Sequence, residues 1–248
     1  MSIITIPQHN PEVVPLPKAF QAPPEAMHPG QIDYASFGDN AALKRASDAL
    51  QHGWNEALAI NELRANPHDE DRAATHDRKV RERHDGSARS FAEKFDNANA
   101  ELKAELRAVE AELDRKAGLK PNMTVANLTV GTLQGMKNDG ERMAAVSELL
   151  EDGDYETLAT LMAVPRFTTQ LPAAFLNGLR ERVLHKVDPQ GVKLRDHLKV
   201  AIEKMDNAAT ASIIMFSQLR AGTGQGEWKE RAKQAAVDAE RNRLANKR

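Results

Sequence analysis

Three histidine–aspartate pairs occur at eight-residue intervals: His68-Asp69, His76-Asp77 and His84-Asp85. Histidine and aspartate are common zinc ligands, and a helical zinc site places two ligands three or four residues apart. A step of eight residues along a helix is about 12 Å of rise with roughly 80° of rotation, so no two pairs can bind one ion. We therefore interpret the pairs as solvated charges on a helix and predict no metal site.

A second chemical motif is the glycine-rich run Gly222–Gly226, which follows a predicted long helix. A phosphate-binding P-loop follows a strand and ends in Lys-Ser or Lys-Thr, and both features are missing here. The chain has no G-x-S-x-G or S-x-x-K motif, and the absence of cysteine excludes a cysteine nucleophile and thiolate metal sites. We interpret the run as a flexible hinge and predict a non-enzymatic protein without catalytic residues, metal or cofactor.

The composition of the 248-residue chain favours helices. Hydrophobic residues make up 41% and charged residues 28%, while aromatic residues account for only 4%. Few aromatic residues and many alanines and leucines are typical of packed helices rather than of a β-sandwich, so we predict an all-α fold. The net charge of −2 provides no overall attraction to nucleic acid. No signal peptide or long apolar run is visible, which predicts a chain that stays soluble in the cytoplasm or joins an assembly.

Residues 1–38 contain seven of the twelve prolines and only four charged residues. Because proline fixes φ and disfavours a helical residue before it, we predict an extended or polyproline II arm. One interpretation is a solvated tail. The other, which we favour, is an arm that binds a partner, because a tail would not need so many large apolar side chains. The predicted anchors are Ile3, Ile4, Ile6, Val13, Val14, Leu16 and Phe20.

Residues 39–118 are predicted to form two helices. The first covers residues 39–65 and begins behind an aspartate or asparagine cap. The second covers residues 66–117, with Asn66-Pro67 as the cap and first position of the helix. About half of its residues are charged, and Asp85–Ser87 is its one internal weak point.

Apolar residues of this second helix recur every eleven residues, a period that keeps one seam along a nearly straight helix. We expect the seam to pack on a helix, either the chain's own first helix or one from a neighbouring subunit. In this register Leu106 lies in the seam and Glu105 outside it, whereas a heptad would reverse the two. The seam residues predicted to contact a partner are Phe91, Phe95, Leu102 and Leu106.

Residues 119–221 are predicted to form a helical bundle. Each helix starts behind an acidic or hydroxyl cap or at a proline. The predicted helices are Val125–Gln134, Gly140–Glu151, Tyr155–Val164, Pro172–Val187 and Pro189–Ala221. The last of them has the heptad spacing typical of a coiled coil, and Ile202, Ile213 and Phe216 widen its apolar stripe. We therefore expect it to be buried on more than one side.

Residues 222–248 are predicted to form the hinge and a last, basic helix. Its narrow alanine stripe and Trp228 suit contact with one partner helix. Its excess positive charge favours an acidic protein surface and leaves weak contact with nucleic acid as the less favoured alternative. The basic residues concerned are Lys229, Arg231, Lys233, Arg241 and Arg243.

A proline-rich arm, a long charged helix, a helical bundle and a hinged terminal helix together resemble the small all-helical structural proteins of tailed-bacteriophage virions. The resemblance concerns the order and composition of segments along the whole chain and includes no sequence motif, so no functional residue is transferred. It implies a non-enzymatic component of the head, neck or internal core, assembled in the host cytoplasm, that contacts other virion proteins and further copies of itself. The alternative is a cytoplasmic helical adaptor, or a weak nucleic-acid-associated protein, of a bacterium. Neither interpretation involves a membrane.

Overall fold

The structure, a computed structural model, describes residues 16–38, 40–68 and 73–223, apart from the side chain of Arg166. Over these ranges every regular element is helical, which confirms the all-α prediction. The α-helices are α1 (Ala41–Ala65), α2 (Ala73–Ala117), α3 (Ala126–Gln134), α4 (Asp139–Asp152), α5 (Tyr155–Ala163), α6 (Arg166–Thr169), α7 (Ala173–Val187) and α8 (Pro189–Arg220).

Several helices begin where the sequence offers a cap. The side chain of Asn40 accepts a hydrogen bond from the Leu43 N–H, and that of Asp154 accepts one from the Thr157 N–H, each at 3.1 Å. Each bond satisfies one of the free N–H groups in the first turn of a helix. Because donor and acceptor are only three residues apart, such a start is visible in the sequence.

The start of α2 differs from the prediction. Residues 66–68 are not helical. Asn66 instead ends α1, where its backbone N–H and its side-chain amide donate to the Glu62 carbonyl at 3.0 and 3.1 Å. The predicted helix start at Asn66-Pro67 is therefore wrong, because the asparagine side chain binds the turn behind it. Further along, α2 continues through Asp85–Ser87 without a break.

The chain divides into two compact units. Unit 1 contains the described residues up to Leu102 and those from Ala201 onward, and unit 2 is Lys103–Val200. The helices α2 and α8 each contribute to both units. The division therefore differs from the predicted regions 39–118 and 119–221, because it falls inside continuous helices, where no glycine or proline marks it.

In unit 1 the apolar seam of α2 packs within the chain. Phe91 lies over Gly53 of α1, where an added Cβ atom would be 2.5 Å from two carbons of the Phe91 ring. The centroid of this ring lies 5.3 Å from that of Phe95 and 5.6 Å from that of Phe216 in α8. Phe91, Phe95 and Leu102 are all buried. Their burial corrects the assignment of these three residues to a partner surface, because helices of the same chain already cover them.

Residues 16–20 also pack on α1 of the same chain. The Leu16 N–H donates to the Arg64 carbonyl at 3.0 Å. The buried Asn61 side chain accepts from the Ala19 N–H at 2.7 Å and donates to the Phe20 carbonyl at 2.8 Å. Leu16 and Phe20 are half-buried. The backbone at both residues thus packs on α1 within unit 1, and their role as anchors on another chain stays a prediction.

Residues 21–38 fold into turns where the prolines predicted extended backbone. The three 3₁₀ turns are Glu25–Met27, Pro29–Gln31 and Ala35–Phe37. Met27 and Ile32 are buried. Side chains of unit 1 bind the backbone of the turns, since the Ser47 hydroxyl donates to the Pro29 carbonyl at 3.2 Å and the Lys204 ammonium to the Gln31 carbonyl at 2.8 Å. The other predicted anchors, Ile3, Ile4, Ile6, Val13 and Val14, lie outside the described residues.

Buried leucines and valines of α2–α5, α7 and α8 form the core of unit 2. They include Leu113, Leu133, Val146, Leu158, Leu179 and Val192. Gly191, in the first turn of α8, lets that helix approach α2, since an added Cβ atom would lie 2.9 Å from a methyl carbon of Leu113. Both Glu105 and Leu106 are half-buried, so the eleven-residue seam is weaker here than in unit 1.

Candidate protein-binding surfaces

One of the three histidine–aspartate pairs, His76-Asp77, lies close to a buried arginine. The guanidinium of Arg64, near the end of α1, donates to the Leu219 carbonyl and, at 2.9 Å, to the Ala221 carbonyl, both at the end of α8. It also donates to the Pro17 carbonyl at 3.3 Å. Burial lowers the pKa of Arg64, and the Asp77 carboxylate opposes that shift. The last carbonyl groups of a helix have no N–H partner in a following turn. Arg64 donates hydrogen bonds to such carbonyls at the end of α8, and it links three segments of unit 1, namely α1, the end of α8 and the backbone at Pro17.

Two of the three histidines contribute to the same arrangement. His76 is only 1% exposed, and its Nε2 atom lies 3.3 Å from the Arg64 carbonyl. His84 is also buried, with Nε2 at 2.9 Å from the Phe216 carbonyl and Nδ1 at 2.9 Å from an Asp85 carboxylate oxygen. The hydrogen bond from His84 lowers the pKa of Asp85.

The interpretation of these pairs as solvated charges is therefore wrong for His76, Asp77 and His84, which are all buried. His76-Asp77 and His84-Asp85 lie on α2, whereas His68 lies before it in a segment that is not helical, so its predicted place on the helix is wrong. The sequence does not reveal which helix ends lie opposite the two pairs on α2. Nε2 of each histidine faces a backbone carbonyl. Within residues 16–38, 40–68 and 73–223, no group of three or more histidine, aspartate or glutamate residues could hold a metal ion. The contacts of Arg64, His76 and His84 instead hold α1, α2 and α8 together within unit 1.

In unit 2, an open groove of about 590 Å³ lies between α3 and the segment around α6. The residues that line it carry no charge: Met123, Ala126, Asn127, Val130, Gly131, Gln134, Val164, Pro165 and Thr168. The Gln134 side-chain amide donates to the Thr168 carbonyl at 2.9 Å and so connects the two sides of the groove. The run Pro121–Met136 has no charged residue at all, although charged residues make up 28% of the chain.

Large apolar side chains are exposed on the elements that form this groove. Met123 is 58% exposed, Leu128 of α3 is 75% exposed, and Phe167 of α6 is 82% exposed. We call the groove together with Phe167, which lies between its lining residues Pro165 and Thr168 in the chain, the α3–α6 surface. Leu128 lies on another side of α3. Exposed apolar side chains beside a groove whose described lining residues carry no charge are typical of the centre of a protein–protein interface.

In unit 1, α8 exposes Ile213 and Ile214, which are 72% and 54% exposed. Phe216 is buried and Ile202 is half-buried, in agreement with the expected wide stripe. Ile213 is the exception, so the expectation that it is buried is wrong. A widened apolar stripe in a sequence does not reveal which of its sides the rest of the chain covers.

Among the described residues, none of the predicted partner-binding residues lies on the α3–α6 surface. Of the predicted residues, Leu106 is half-buried, and Trp228 and the basic residues of the predicted last helix lie outside the described residues. The α3–α6 surface was not predicted from the sequence. The uncharged run Pro121–Met136 is the signal that could have indicated it.

Comparison of the chain with family models, curated proteins and solved structures gives no significant match. Among the helices of the described ranges, none is long and apolar enough to span a bilayer.

Proposed function

We propose that this protein is a non-enzymatic structural component of a protein assembly, with the tailed-phage virion (its head, neck or internal core) as the setting. In this proposal the α3–α6 surface binds an uncharged, apolar segment of a neighbouring subunit. The observation that carries the proposal is the exposure of Met123 and Phe167 at a groove whose described lining residues are all uncharged.

The chemistry of the segment follows from the lining of the groove. A carboxylate or an ammonium group seated there would lose hydration without meeting an opposite charge among the described lining residues, which is unfavourable. Apolar side chains over Met123 and Phe167 would remove apolar area from water on both partners, at about 25 cal/mol for each Å². An uncharged segment with large aliphatic side chains is therefore the best fit. Ile3–Ile6 of this chain belongs to that chemical class.

The test uses a side chain that fills the groove without disturbing the fold. Gly131 lines the groove inside α3, and a Cβ atom added there meets nothing within 4 Å. A leucine is also a better helix former than a glycine. Gly131→Leu is therefore expected to keep unit 2 folded and to occupy the space of the partner segment.

Gly178→Leu is the matched control. Gly178 lies inside α7 of the same unit, its added Cβ atom also meets nothing within 4 Å, and it does not line the groove. The measurement is the copy number of each variant in purified particles, determined by quantitative mass spectrometry, with circular dichroism as a check of helix content. We expect the wild type and Gly178→Leu at the same copy number and Gly131→Leu at least tenfold lower. Absence of the wild-type chain from particles, or equal incorporation of all three proteins, would contradict the proposal.

A further inference from the structure

The exposed isoleucines of α8 lie on a helix face without charge at its centre. The helix carries no charged residue from Asn207 to Leu219. A single exposed isoleucine is common, but two adjacent ones on an uncharged face form an apolar patch that water covers poorly. The described part of unit 1 leaves most of Ile213 and about half of Ile214 uncovered, since they are 72% and 54% exposed.

Polar residues extend this patch along the helix in a regular pattern. Residues spaced alternately by four and three positions lie on one face of an α-helix. The residues with this spacing around Ile213 are Asp206, Thr210, Ile213, Ser217 and Arg220, and all five are exposed. We call them, together with Ile214, the Ile213 face.

The charges of the Ile213 face are arranged symmetrically about its centre. Asp206 lies seven residues before Ile213, and Arg220 lies seven residues after it. At 1.5 Å of rise per residue, each charge is about 10 Å from the centre along the helix axis. The Arg220 side chain is 62% exposed, and its closest described carboxylate, that of Asp85, lies 3.9 Å away.

We propose that the Ile213 face binds the same face of a second copy of this chain, with the two α8 helices antiparallel about a two-fold axis at Ile213. In this arrangement Ile213 and Ile214 of the two copies cover one another. Each Asp206 then lies opposite the partner's Arg220, because the two residues are equally far from the axis. A two-fold interface of this kind uses one surface twice and so needs self-complementary charges, which this face has.

The charges also select the direction of pairing. In a parallel pair, Arg220 would lie opposite Arg220 and Asp206 opposite Asp206, and like charges in contact oppose association. The antiparallel pair has an opposite charge at both ends and apolar residues at its centre. The proposal concerns a different unit and a different surface from the α3–α6 surface, and it holds for the purified chain whatever assembly it joins.

Sedimentation velocity of the full-length protein tests the contact itself. We expect a reversible monomer–dimer equilibrium, weakened at least tenfold by Ile213→Lys and unchanged by Val200→Lys. Val200 is an apolar α8 residue that is 45% exposed and lies outside the Ile213 face, so it is the matched control. Asp206→Arg and Arg220→Asp alone are expected to weaken the dimer, and the double variant to restore it. Failure of the double variant to restore association would overturn the proposed pairing.

Cysteine cross-linking tests the antiparallel direction, because the natural chain contains no cysteine. Ile213→Cys places two thiols beside the two-fold axis, so mild oxidation should give a covalent dimer. Arg220→Cys places its two thiols about 21 Å apart along the axis, which is too far for a disulfide. A cross-link for both variants would show a parallel pair and would refute the proposal.

Two further outcomes separate this proposal from other contacts. A monomeric wild type without a cross-link at residue 213 would show that something else, such as residues 224–248, covers the face, and would overturn the proposal. Gly131→Leu should leave the dimer unchanged, because it alters only the α3–α6 surface. A loss of the dimer in Gly131→Leu would place self-association at the groove instead and would also refute the Ile213 contact.

Discussion

Gly53 of α1 and Gly86 of α2 are both helical glycines of unit 1, yet the same substitution should affect stability differently at the two positions. A Cβ atom at Gly86 meets nothing within 4 Å, whereas one at Gly53 would lie 2.5 Å from two ring carbons of Phe91 and 3.0 Å from the terminal methyl of Met27. Both Phe91 and Met27 are buried, so neither can move aside without disturbing the core.

The magnitudes follow from two opposing contributions. Replacement of glycine by alanine inside a helix contributes about 1 kcal/mol of stability, and it does so at both positions. Overpacking of a core costs about 1 to 3 kcal/mol, and only Gly53→Ala introduces it. We therefore expect Gly86→Ala to stabilise the protein by about 1 kcal/mol and Gly53→Ala to be less stable than Gly86→Ala by about 1 to 3 kcal/mol.

Urea unfolding followed by circular dichroism at 222 nm gives the free energies of unfolding for the comparison. Phe91→Leu in the Gly53→Ala background should recover part of the loss, because the smaller side chain leaves room for the methyl group. A double-mutant cycle with both single variants isolates this coupling from the cavity that Phe91→Leu creates on its own. Equal stability of Gly53→Ala and Gly86→Ala would refute the close packing of Phe91 on α1.

Three further predictions concern buried and capping groups. Arg64→Met should lower the free energy of unfolding by about 2 to 4 kcal/mol, because it leaves buried carbonyls at the end of α8 without donors, and Arg64→Lys should recover only part of this loss in the same urea experiment. Leu102→Ala should cost about 2 to 5 kcal/mol, and Leu106→Ala about half as much because Leu106 is only half-buried. The Lys116 ammonium, followed by the Gly191 N–H, lowers the pKa of Asp188 below its ordinary value of 3.8, so this carboxylate stabilises the fold above about pH 4 and loses that effect as the pH falls further. The difference in urea midpoint between the wild type and Asp188→Asn should therefore be largest at pH 6 and shrink towards pH 3.

Each of these predictions has an outcome that contradicts it. Full stability of Arg64→Met would show that the carbonyls of α8 find other donors. A larger loss for Leu106→Ala than for Leu102→Ala would contradict the order of burial along α2. A difference between the wild type and Asp188→Asn that is constant from pH 6 to pH 3 would show that the ionised carboxylate is not what stabilises the start of α8.

The sequence predicts those parts of the fold that depend on short-range interactions. Asn40 and Asp154 bind N–H groups three residues ahead, so the starts of α1 and α5 are visible without knowledge of the rest of the chain. The eleven-residue period of α2 likewise identifies Phe91 and Leu102 as members of one buried seam. The seam alone does not show which helix it packs on, because the chain's own α1 and a helix of a neighbouring subunit could both present an apolar surface to it.

The parts that could not be predicted depend on residues far apart in the chain. His84 is buried because its Nε2 atom meets the Phe216 carbonyl, 132 residues away. Ile213 and Phe216 belong to the same sequence stripe, but only the side of α8 that carries Phe216 is covered in unit 1. The α3–α6 surface forms where residues around α3 and residues around α6 come together, and no local pattern in the sequence predicts this contact. The absence of charge from Pro121–Met136 indicates only the α3 side of the groove.

The division of the chain also determines the order in which its parts can fold during synthesis. Unit 2 is contiguous, from Lys103 to Val200, so all of its core residues can leave the ribosome together. Unit 1 lacks Phe216 and Leu219 until synthesis has passed beyond unit 2, and the bond from Arg64 to the Leu219 carbonyl closes a loop of 155 residues. Closure of such a loop is slow and unfavourable in entropy unless its interior is already compact. We therefore expect unit 2 to fold first on the nascent chain and unit 1 to be completed last, with Phe91 and Val80 accessible to chaperones in the interval.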